Sequence, residues 1–227
     1  MSSSTIPFNA KGLTLYSNKA CPFSHRAVIT LHEAKIPYQL VEIDLNNKPS
    51  WYNQINPFLK VPTLRLADGT IVLDSAIISK YISEISTESQ LMPSEPLKRA
   101  NVRYFVEFFS SNLITKYFGA ARATGDEEKK KIWGEIIENL KGLNQLLVEQ
   151  SKGPYFLGNE FSLADILTIT FIERLETVAK IIGTQFEGIP QLERIYLWKN
   201  ACKERSSYKD TVASQEEIYT AVKNLKH

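Results

Sequence analysis

The spacing of apolar residues changes near residue 90 of this 227-residue chain. Before that point, short runs of β-strand character alternate with runs at helical spacing. After it, apolar residues recur every three or four positions, and no alternating strand pattern is found. The pattern therefore predicts an α/β domain followed by an all-α domain.

The first part is predicted to contain a strand, a helix, a second strand, a short helical turn, a hairpin and a final helix. Apolar residues at helical spacing place the first helix after Cys21, and Pro37 closes it. Asp68-Gly69 is a dipeptide favoured in tight hairpin turns. The order βαβαββα is typical of a thioredoxin-like domain. The other predicted elements are strands at 13–16, 38–43, 63–66 and 71–73, a helical turn at 50–56 and a helix at 75–85.

The domain limits follow from changes in composition. The predicted regions are a flexible leader at 1–12, a thioredoxin-like domain at 13–88, a proline-bearing linker at 89–97 and an all-helical domain at 98–227. Within the helical domain, the charged stretch 125–131 and the stretch 152–154 are predicted breaks between helices. Ser162 and Asp165 form a capping box that starts a later helix.

Composition and charge exclude several classes of protein. A net charge of +2 without a dominant basic run argues against a nucleic-acid partner. The N-terminal residues have no basic and apolar signal pattern, and no stretch has the roughly 18 apolar residues of a membrane span. Two cysteines are too few for a disulfide framework, so we expect a reducing cytoplasmic location.

Cys21 is the main candidate for chemistry. It follows a predicted buried strand and opens a helix, with Pro22 at the first helical position. A sulfur there faces free backbone N–H groups and the positive end of the helix dipole, which favour a nucleophilic thiolate. His25 and Arg26 are close enough to add positive potential. An inert buried cysteine is the alternative interpretation, but the strand-to-helix position favours the thiolate.

The serine at position 24 limits the chemistry that this cysteine can perform. In Cys21-Pro22-Phe23-Ser24, serine occupies the position at which a dithiol oxidoreductase has its second cysteine. Since serine cannot resolve a mixed disulfide, a second thiol must come from outside, and glutathione is the abundant cytosolic candidate. Cys202 lies far along the chain and is interpreted as structural. No metal site is predicted.

Three further positions suggest ligand contacts. The proline of Val61-Pro62 precedes a strand, which suggests an edge or a cis peptide bond. Asp74-Ser75 lies at a predicted helix start, where it caps the helix, holds an amino-acid moiety, or does both. Lys48 lies in a polar loop, where it is either solvated or neutralises a ligand carboxylate.

Taken together, these residues resemble the omega-class glutathione transferases over nearly the whole chain. The resemblance lies in the Cys-Pro-Phe motif with Arg26 and in further matching segments around 45–51, 56–58, 61–62, 171–176 and 197–198. The motif at Cys21 alone also resembles dehydroascorbate reductases, lambda-class transferases and chloride intracellular channel proteins. Lys60 is a departure from the omega pattern, as is Asp74, where glutamate is frequent; dehydroascorbate reductases also show aspartate there.

The resemblance implies roles for individual residues. Cys21 would form a mixed disulfide with glutathione beside Phe23, and Lys48 would meet the glycyl carboxylate. Val61, followed by Pro62, would pair with the cysteinyl backbone, and Asp74 with Ser75 would hold the γ-glutamyl end. A hydrophobic substrate would lie between the domains; the candidates for its site are Tyr117, Phe118, Arg174, Trp198 and Tyr219.

The expected function is therefore that of a cysteine-dependent glutathione transferase with thioltransferase and dehydroascorbate reductase activity. Glutathione is the expected co-substrate, small electrophiles or disulfides are the second substrates, and the expected assembly is a homodimer. A second enzymatic interpretation is reductive deglutathionylation or lyase-like cleavage of glutathionyl ketones or aryl ethers. The non-enzymatic alternatives are a protein that stores glutathione or hydrophobic ligands and a redox-switched protein of the chloride-channel type.

Overall fold

A computed structural model describes residues 6–225, and the chain divides into two units after residue 90. The division falls inside the predicted linker of residues 89–97. The first unit is a thioredoxin-like α/β domain and the second is helical, so the predicted fold class is confirmed. Each unit is built around its own buried apolar residues.

The first unit contains a four-stranded mixed sheet. Strand order is β2-β1-β3-β4; β1 runs parallel to β2 and antiparallel to β3, and β3 runs antiparallel to β4. The elements are β1 (Leu13–Ser17), α1 (Pro22–Glu33), β2 (Tyr38–Glu42), a 3-10 turn (Ser50–Gln54), β3 (Thr63–Arg65), β4 (Ile71–Leu73) and α2 (Ser75–Ile85).

Alternation along β1 divides the apolar residues of this unit into two groups. Leu15 packs with residues of α1, α2 and β3 in one buried cluster. Its neighbour Tyr16 belongs to a second cluster with Ile43 and Tyr52. Successive side chains of a strand point to opposite faces of the sheet, so β1 contributes to both clusters. Helix α1 and the 3-10 turn therefore pack against the same central strand.

The N-terminal residues depart from the predicted flexible leader. Residues 1–5 lie outside the described part, but Ile6 packs against the Tyr16 cluster. The hydroxyl of Tyr16 donates to the carbonyl of Pro7 at 2.7 Å, and the Arg65 guanidinium lies 3.8 Å from the ring centre of Phe8. Apolar and aromatic side chains therefore attach residues 6–8 to the sheet, which the polar composition of the leader did not indicate.

The second unit is helical over its described residues, apart from isolated β-bridges at 155–160. Its elements are α3 (Pro96–Phe109), a π-helical turn (Ser110–Ile114), α4 (Thr115–Arg122), α5 (Asp126–Gln150), α6 (Leu163–Ile181), α7 (Glu193–Glu204), α8 (Ser206–Lys209) and α9 (Gln215–Asn224). Helix α6 is buried along most of its length.

Two sequence predictions about this unit have different outcomes. The Ser162–Asp165 capping box is present at the start of α6, and the Asp165 carboxylate accepts from the N–H groups of Ser162 and Phe156 at 2.9 and 2.8 Å. The predicted break at 125–131 is present but misplaced: it lies at residues 123–125, because α5 begins at Asp126 and includes the rest of that stretch. Three acidic residues in its first turn complement the helix dipole, so the charged run starts a helix.

Candidate active site around Cys21

The start of helix α1 positions Cys21. Its backbone is extended (φ −75°, ψ 121°) at the N-cap, and Pro22 begins the helix. The thiol is free and half-buried. Since the N-cap residue of a helix adjoins backbone N–H groups that have no partner within the helix, the sulfur lies where a negative charge is stabilised. This is the position that the sequence pattern predicts for a nucleophilic cysteine.

Ser24 secures the loop that leads to Cys21. Its buried hydroxyl oxygen accepts from the backbone N–H of Asn18 at 3.2 Å. The side chain of Asn18 then donates to the carbonyl of Ile43 at 3.1 Å and accepts from the N–H of Ala20 at 3.2 Å. Serine at this position therefore has a structural task, and it brings no second thiol to the site.

Arg26 joins the starts of α1 and α2. Its Nη1 donates to Ser75 Oγ at 3.3 Å, and its guanidinium lies 5.3 Å from the ring centre of Phe23. Burial lowers the pKa of Arg26 to about 10, while the charges of Asp74 and Cys21 oppose that shift. At neutral pH the side chain is thus a buried cation that interacts with both Cys21 and Asp74. His25, the other predicted source of positive potential, is buried as well.

Asp74 and Ser75 occupy the start of helix α2. Asp74 Oδ1 accepts from the N–H groups of Ala76 and Ile77 at 2.8 and 3.2 Å, which confirms the capping interpretation. Its φ of 72° lies in the left-handed region, which few residues other than glycine, asparagine and aspartate adopt. Among the described residues 6–225, none donates to Oδ2 of this exposed carboxylate. One oxygen therefore caps the helix and the other is available to a cationic ligand.

The loop before strand β3 contains Val61 and Pro62, two of the predicted glutathione-binding residues. The Val61-Pro62 peptide bond is cis, which is one of the two interpretations that the sequence suggests for this proline. Within the described part of the chain, the N–H of Val61 donates to no backbone carbonyl. Lys48 is exposed in its own loop, as a solvated or ligand-facing lysine would be. A hydrogen bond thus joins the first turns of α1 and α2, and the two predicted loop residues, Lys48 and Val61, lie in the same unit.

The five candidates for a hydrophobic substrate site all lie in the second unit. Trp198 is 0% exposed and its Nε1 donates to Asp165 at 2.7 Å. Arg174 is 1% exposed and donates to Glu173 and to the carbonyl of Thr170. Tyr117 is buried against Phe171. These three side chains are core residues, so their assignment to a ligand-facing surface is corrected.

Phe118 and Tyr219 have more accessible positions in that unit. Phe118 is half-buried, with the Arg122 guanidinium 5.5 Å from its ring centre. Tyr219 is 45% exposed on α9. Both retain a surface that a ligand can contact, and their role in binding stays a prediction.

Cys202 differs from Cys21 in its exposure to solvent and in its position within a helix. It is 0% exposed within α7, and burial raises the pKa of its thiol well above the ordinary value. The interpretation of this residue as structural therefore agrees with its surroundings.

Two features that would indicate other functions are absent from residues 6–225. There, no group of three or more His, Cys, Asp or Glu side chains is arranged to hold a metal ion. No helix in the same range combines the length and the apolar character needed to cross a bilayer.

The sequence matches two domain families, each over one of the structural units. Residues 20–85 match the glutathione S-transferase N-terminal domain, and residues 100–211 match the glutathione S-transferase C-terminal domain. Glutathione S-transferase omega-1 of Mus musculus is 30% identical over 210 residues, which is 91% of this chain and 80% of the mouse protein.

Solved structures give the same result for the fold. The tau-class glutathione S-transferase of mango, Mangifera indica, superposes with a TM-score of 0.87 at 26% identity, covering 96% of this chain and all of the mango chain. Glutathione transferase Omega 3C of Trametes versicolor gives 0.81 at 26% identity, covering 93% and 90% of the two chains. With a cysteine at the start of α1 and both domains matched, this protein belongs to the glutathione S-transferase family and is related to its omega class.

Proposed function

We propose that this protein is a cysteine-dependent glutathione transferase that catalyses thiol exchange through Cys21. The observation that carries the proposal is the free thiol at the N-cap of α1, beside the buried cation of Arg26 and without a second cysteine at position 24. A thiolate in that position is a nucleophile, and it depends on an external thiol for its regeneration.

The proposed reaction has two balanced steps. In the first, the Cys21 thiolate attacks the glutathione sulfur of a glutathionylated substrate, forms a mixed disulfide and expels the substrate as a thiolate. In the second, the thiolate of a free glutathione attacks the mixed disulfide, which releases glutathione disulfide and restores Cys21. With dehydroascorbate, two glutathione molecules supply the two electrons and leave as the disulfide, and ascorbate is the reduced product.

Glutathione binding is assigned to the residues around this thiol. Asp74 Oδ2 and Ser75 would hold the ammonium and carboxylate of the γ-glutamyl group. The Val61 N–H would pair with the cysteinyl backbone next to Pro62, Phe23 would pack beside the sulfur, and Lys48 would neutralise the glycyl carboxylate. The exposed Asp74 carboxylate and the Val61 N–H support this assignment, since among residues 6–225 none donates to Asp74 Oδ2 and no backbone carbonyl accepts from Val61.

Intact mass spectrometry after incubation with glutathione disulfide tests the proposal. We expect one glutathione adduct that a reductant removes, present in the wild type and in Cys202→Ala but absent in Cys21→Ala. The Cys202→Ala variant is the matched control, because it removes the only other cysteine of the sequence. An adduct on Cys202, or none in the wild type, would refute the mechanism.

A second candidate is transfer of glutathione to electrophiles, favoured by the likeness to the mango protein, which is named as a glutathione S-transferase. In that case Cys21 would lie beside the glutathione sulfur without forming a disulfide with it. Cys21→Ser separates the two functions, because a hydroxyl can hydrogen-bond a glutathione thiolate but cannot form the mixed disulfide. The thiol-exchange proposal predicts that this variant loses exchange and gains relative conjugating activity.

The remaining parts of the proposal concern substrates, place and assembly. Reductive deglutathionylation, or lyase-like cleavage of glutathionyl ketones or aryl ethers, would use the same cysteine, so a panel of glutathionyl substrates determines the preference. We place the protein in the cytoplasm, where glutathione is abundant, and propose a homodimer. Light scattering after size-exclusion chromatography measures the assembly directly.

A further inference from the structure

A buried polar cluster surrounds the carbonyl oxygen of Lys60. The Tyr52 hydroxyl donates to this oxygen at 2.7 Å, and Asn56 Nδ2 donates to it at 2.8 Å. Thr63 Oγ1 lies 3.3 Å from the same oxygen. The three side chains are at most 3% exposed. Three buried polar groups thus converge on one peptide group, immediately before Val61.

Hydrogen bonds within the cluster form a closed ring. Asn56 Nδ2 uses its second hydrogen to donate to Thr63 Oγ1 at 2.9 Å, and Thr63 and Tyr52 hydroxyl oxygens are 3.1 Å apart. Because the Tyr52 hydrogen is donated to Lys60, the single hydroxyl hydrogen of Thr63 is shared between the Lys60 oxygen and the Tyr52 oxygen. Burial raises the pKa of Tyr52 to about 12, so the phenol keeps the hydrogen that it donates. Each donor and the carbonyl oxygen are satisfied without solvent.

Because a peptide group is planar, hydrogen bonds that fix the Lys60 carbonyl also fix the direction of the Val61 N–H. The Lys60–Val61 peptide is planar and trans, so its C=O and N–H point in opposite directions. With the Lys60 oxygen held inside the cluster, the Val61 N–H points away from it. That N–H is the group assigned above to the cysteinyl backbone of glutathione.

We propose that Tyr52, Asn56 and Thr63 are positioning residues, which fix the Lys60–Val61 peptide so that the Val61 N–H is oriented toward glutathione. The inference rests on the proposed function, because it gives the cluster its ligand. None of the three residues touches the reacting sulfur in this role; they act through the orientation of a backbone donor.

The chain provides a matched control for the Tyr52 hydroxyl. Tyr16 is also fully buried, belongs to the same apolar cluster, and donates its hydroxyl to a backbone carbonyl at 2.7 Å, but that carbonyl is Pro7. Tyr52→Phe and Tyr16→Phe therefore each remove a hydroxyl that donates to a backbone carbonyl, in two different loops, and Tyr52→Phe also removes the contact with Thr63. A purely structural role predicts similar losses of stability and similar catalysis in the two variants.

Steady-state kinetics with glutathione and bis(2-hydroxyethyl) disulfide give the deciding comparison. We expect Tyr52→Phe to raise the KM for glutathione about fivefold with kcat nearly unchanged, which corresponds to the loss of one ordinary hydrogen bond. Tyr16→Phe should keep the wild-type KM. Thr63→Val should behave like Tyr52→Phe, and Thr63→Ser, which keeps the hydroxyl, should restore the wild-type KM.

A spectrum recorded without glutathione separates this inference from the proposed function. In ¹⁵N-valine-labelled protein we expect the Val61 amide signal to shift in Tyr52→Phe and to stay in place in Tyr16→Phe. If Tyr52→Phe and Tyr16→Phe have the same Val61 amide signal and the same KM for glutathione, and glutathione turnover persists in both, the inference is overturned. Wild-type protein without any glutathione-dependent turnover would refute the proposed function, and with it the role assigned to Val61.

Discussion

The surroundings of Cys21 and of Cys202 differ although both thiols lie near arginine side chains. Cys21 is half-buried at the start of α1 and interacts electrostatically with Arg26. Cys202 is fully buried near the end of α7, where Arg205 and Arg194 act to lower the pKa of its thiol. Burial nevertheless dominates at Cys202 and raises that pKa well above the ordinary value.

The comparison shows that a neighbouring cation does not suffice to make a cysteine reactive. A residue inside a helix is surrounded by backbone groups that are already paired, whereas the N-cap faces unpaired N–H groups. Cys21 combines that position with partial access to solvent and with a buried positive charge. The same amino acid is therefore a candidate nucleophile in the first unit and an apolar core residue in the second.

Replacing each cysteine in turn should give the largest difference, which is a difference in glutathione-dependent turnover. Cys21→Ala is expected to reduce glutathione-dependent disulfide and dehydroascorbate reduction to the uncatalysed rate, because the nucleophile is lost. Cys202→Ala should keep full turnover at a temperature at which it is folded. Rates measured under identical glutathione concentrations check this. Wild-type activity in Cys21→Ala would remove the basis of the comparison.

Asp74→Asn tests whether the surroundings of Cys21 include a site for the γ-glutamyl ammonium. Asparagine keeps the capping oxygen and tolerates the left-handed backbone, so stability should change little. Loss of the charge should weaken glutathione binding roughly ten- to hundredfold, as expected for a charge-assisted contact. Calorimetric titration in a Cys21→Ala background measures the affinity without covalent adducts.

Asp68→Asn is the control for that experiment. Asp68 Oδ1 accepts from the N–H of Thr70 at 2.8 Å in the β3–β4 hairpin, so the substitution makes the same chemical change at another turn. Its glutathione affinity should equal that of the Cys21→Ala parent. Equal affinities for the Asp74 and Asp68 variants would leave Asp74 as a helix cap alone.

Arg26→Met removes the cation and keeps much of the side-chain length. We expect Cys21 alkylation at neutral pH to slow roughly tenfold, because an opposite charge nearby stabilises the thiolate. The pKa of Arg26, about 10, lies above the assay range of about pH 6–9, so the wild-type cation stays charged throughout. Arg26→Lys, which keeps a charge, should retain more of the rate; an unchanged rate in Arg26→Met would assign the reactivity to the helix start alone.

The smallest expected effect is that of Cys202 on the free energy of unfolding at alkaline pH. Because burial raises the pKa of Cys202, the folded protein keeps that proton at a pH at which the unfolded thiol has lost it. The free energy of unfolding should therefore fall as the pH rises above about 9, by up to ~1.4 kcal/mol per pH unit for this group. Cys202→Ala should show a correspondingly smaller decrease in urea denaturation between about pH 8 and 10. Equal slopes would contradict the burial of an intact thiol.

Local sequence signals were sufficient for much of the first unit. The predicted limits of β4 and α2 agree with the structure, and Pro22 correctly marked the helix that follows Cys21. Residues adjacent in sequence determine these features, since turns, caps and apolar periods act over a few positions. The position of Cys21 at a helix start was predictable for the same reason.

Contacts between distant residues were not predictable in this way. Helical spacing of apolar residues does not distinguish a core side chain from one that faces a ligand, which explains the error at Tyr117 and Trp198. The contact of Arg26 with Ser75 joins residues on two different helices, and no local pattern encodes it. The ring around the Lys60 carbonyl likewise depends on how the 3-10 turn meets strand β3.

Differential alkylation of the two cysteines tests the central claim most directly. Native protein is treated with iodoacetamide at pH 7, the reaction is stopped at intervals, and peptide mass spectrometry measures the modified fraction at each cysteine. The account predicts that Cys21 is modified first, and that Cys202 reacts at a comparable rate only after denaturation. Equal labelling of the two residues in the folded protein, or faster labelling of Cys202, would contradict it.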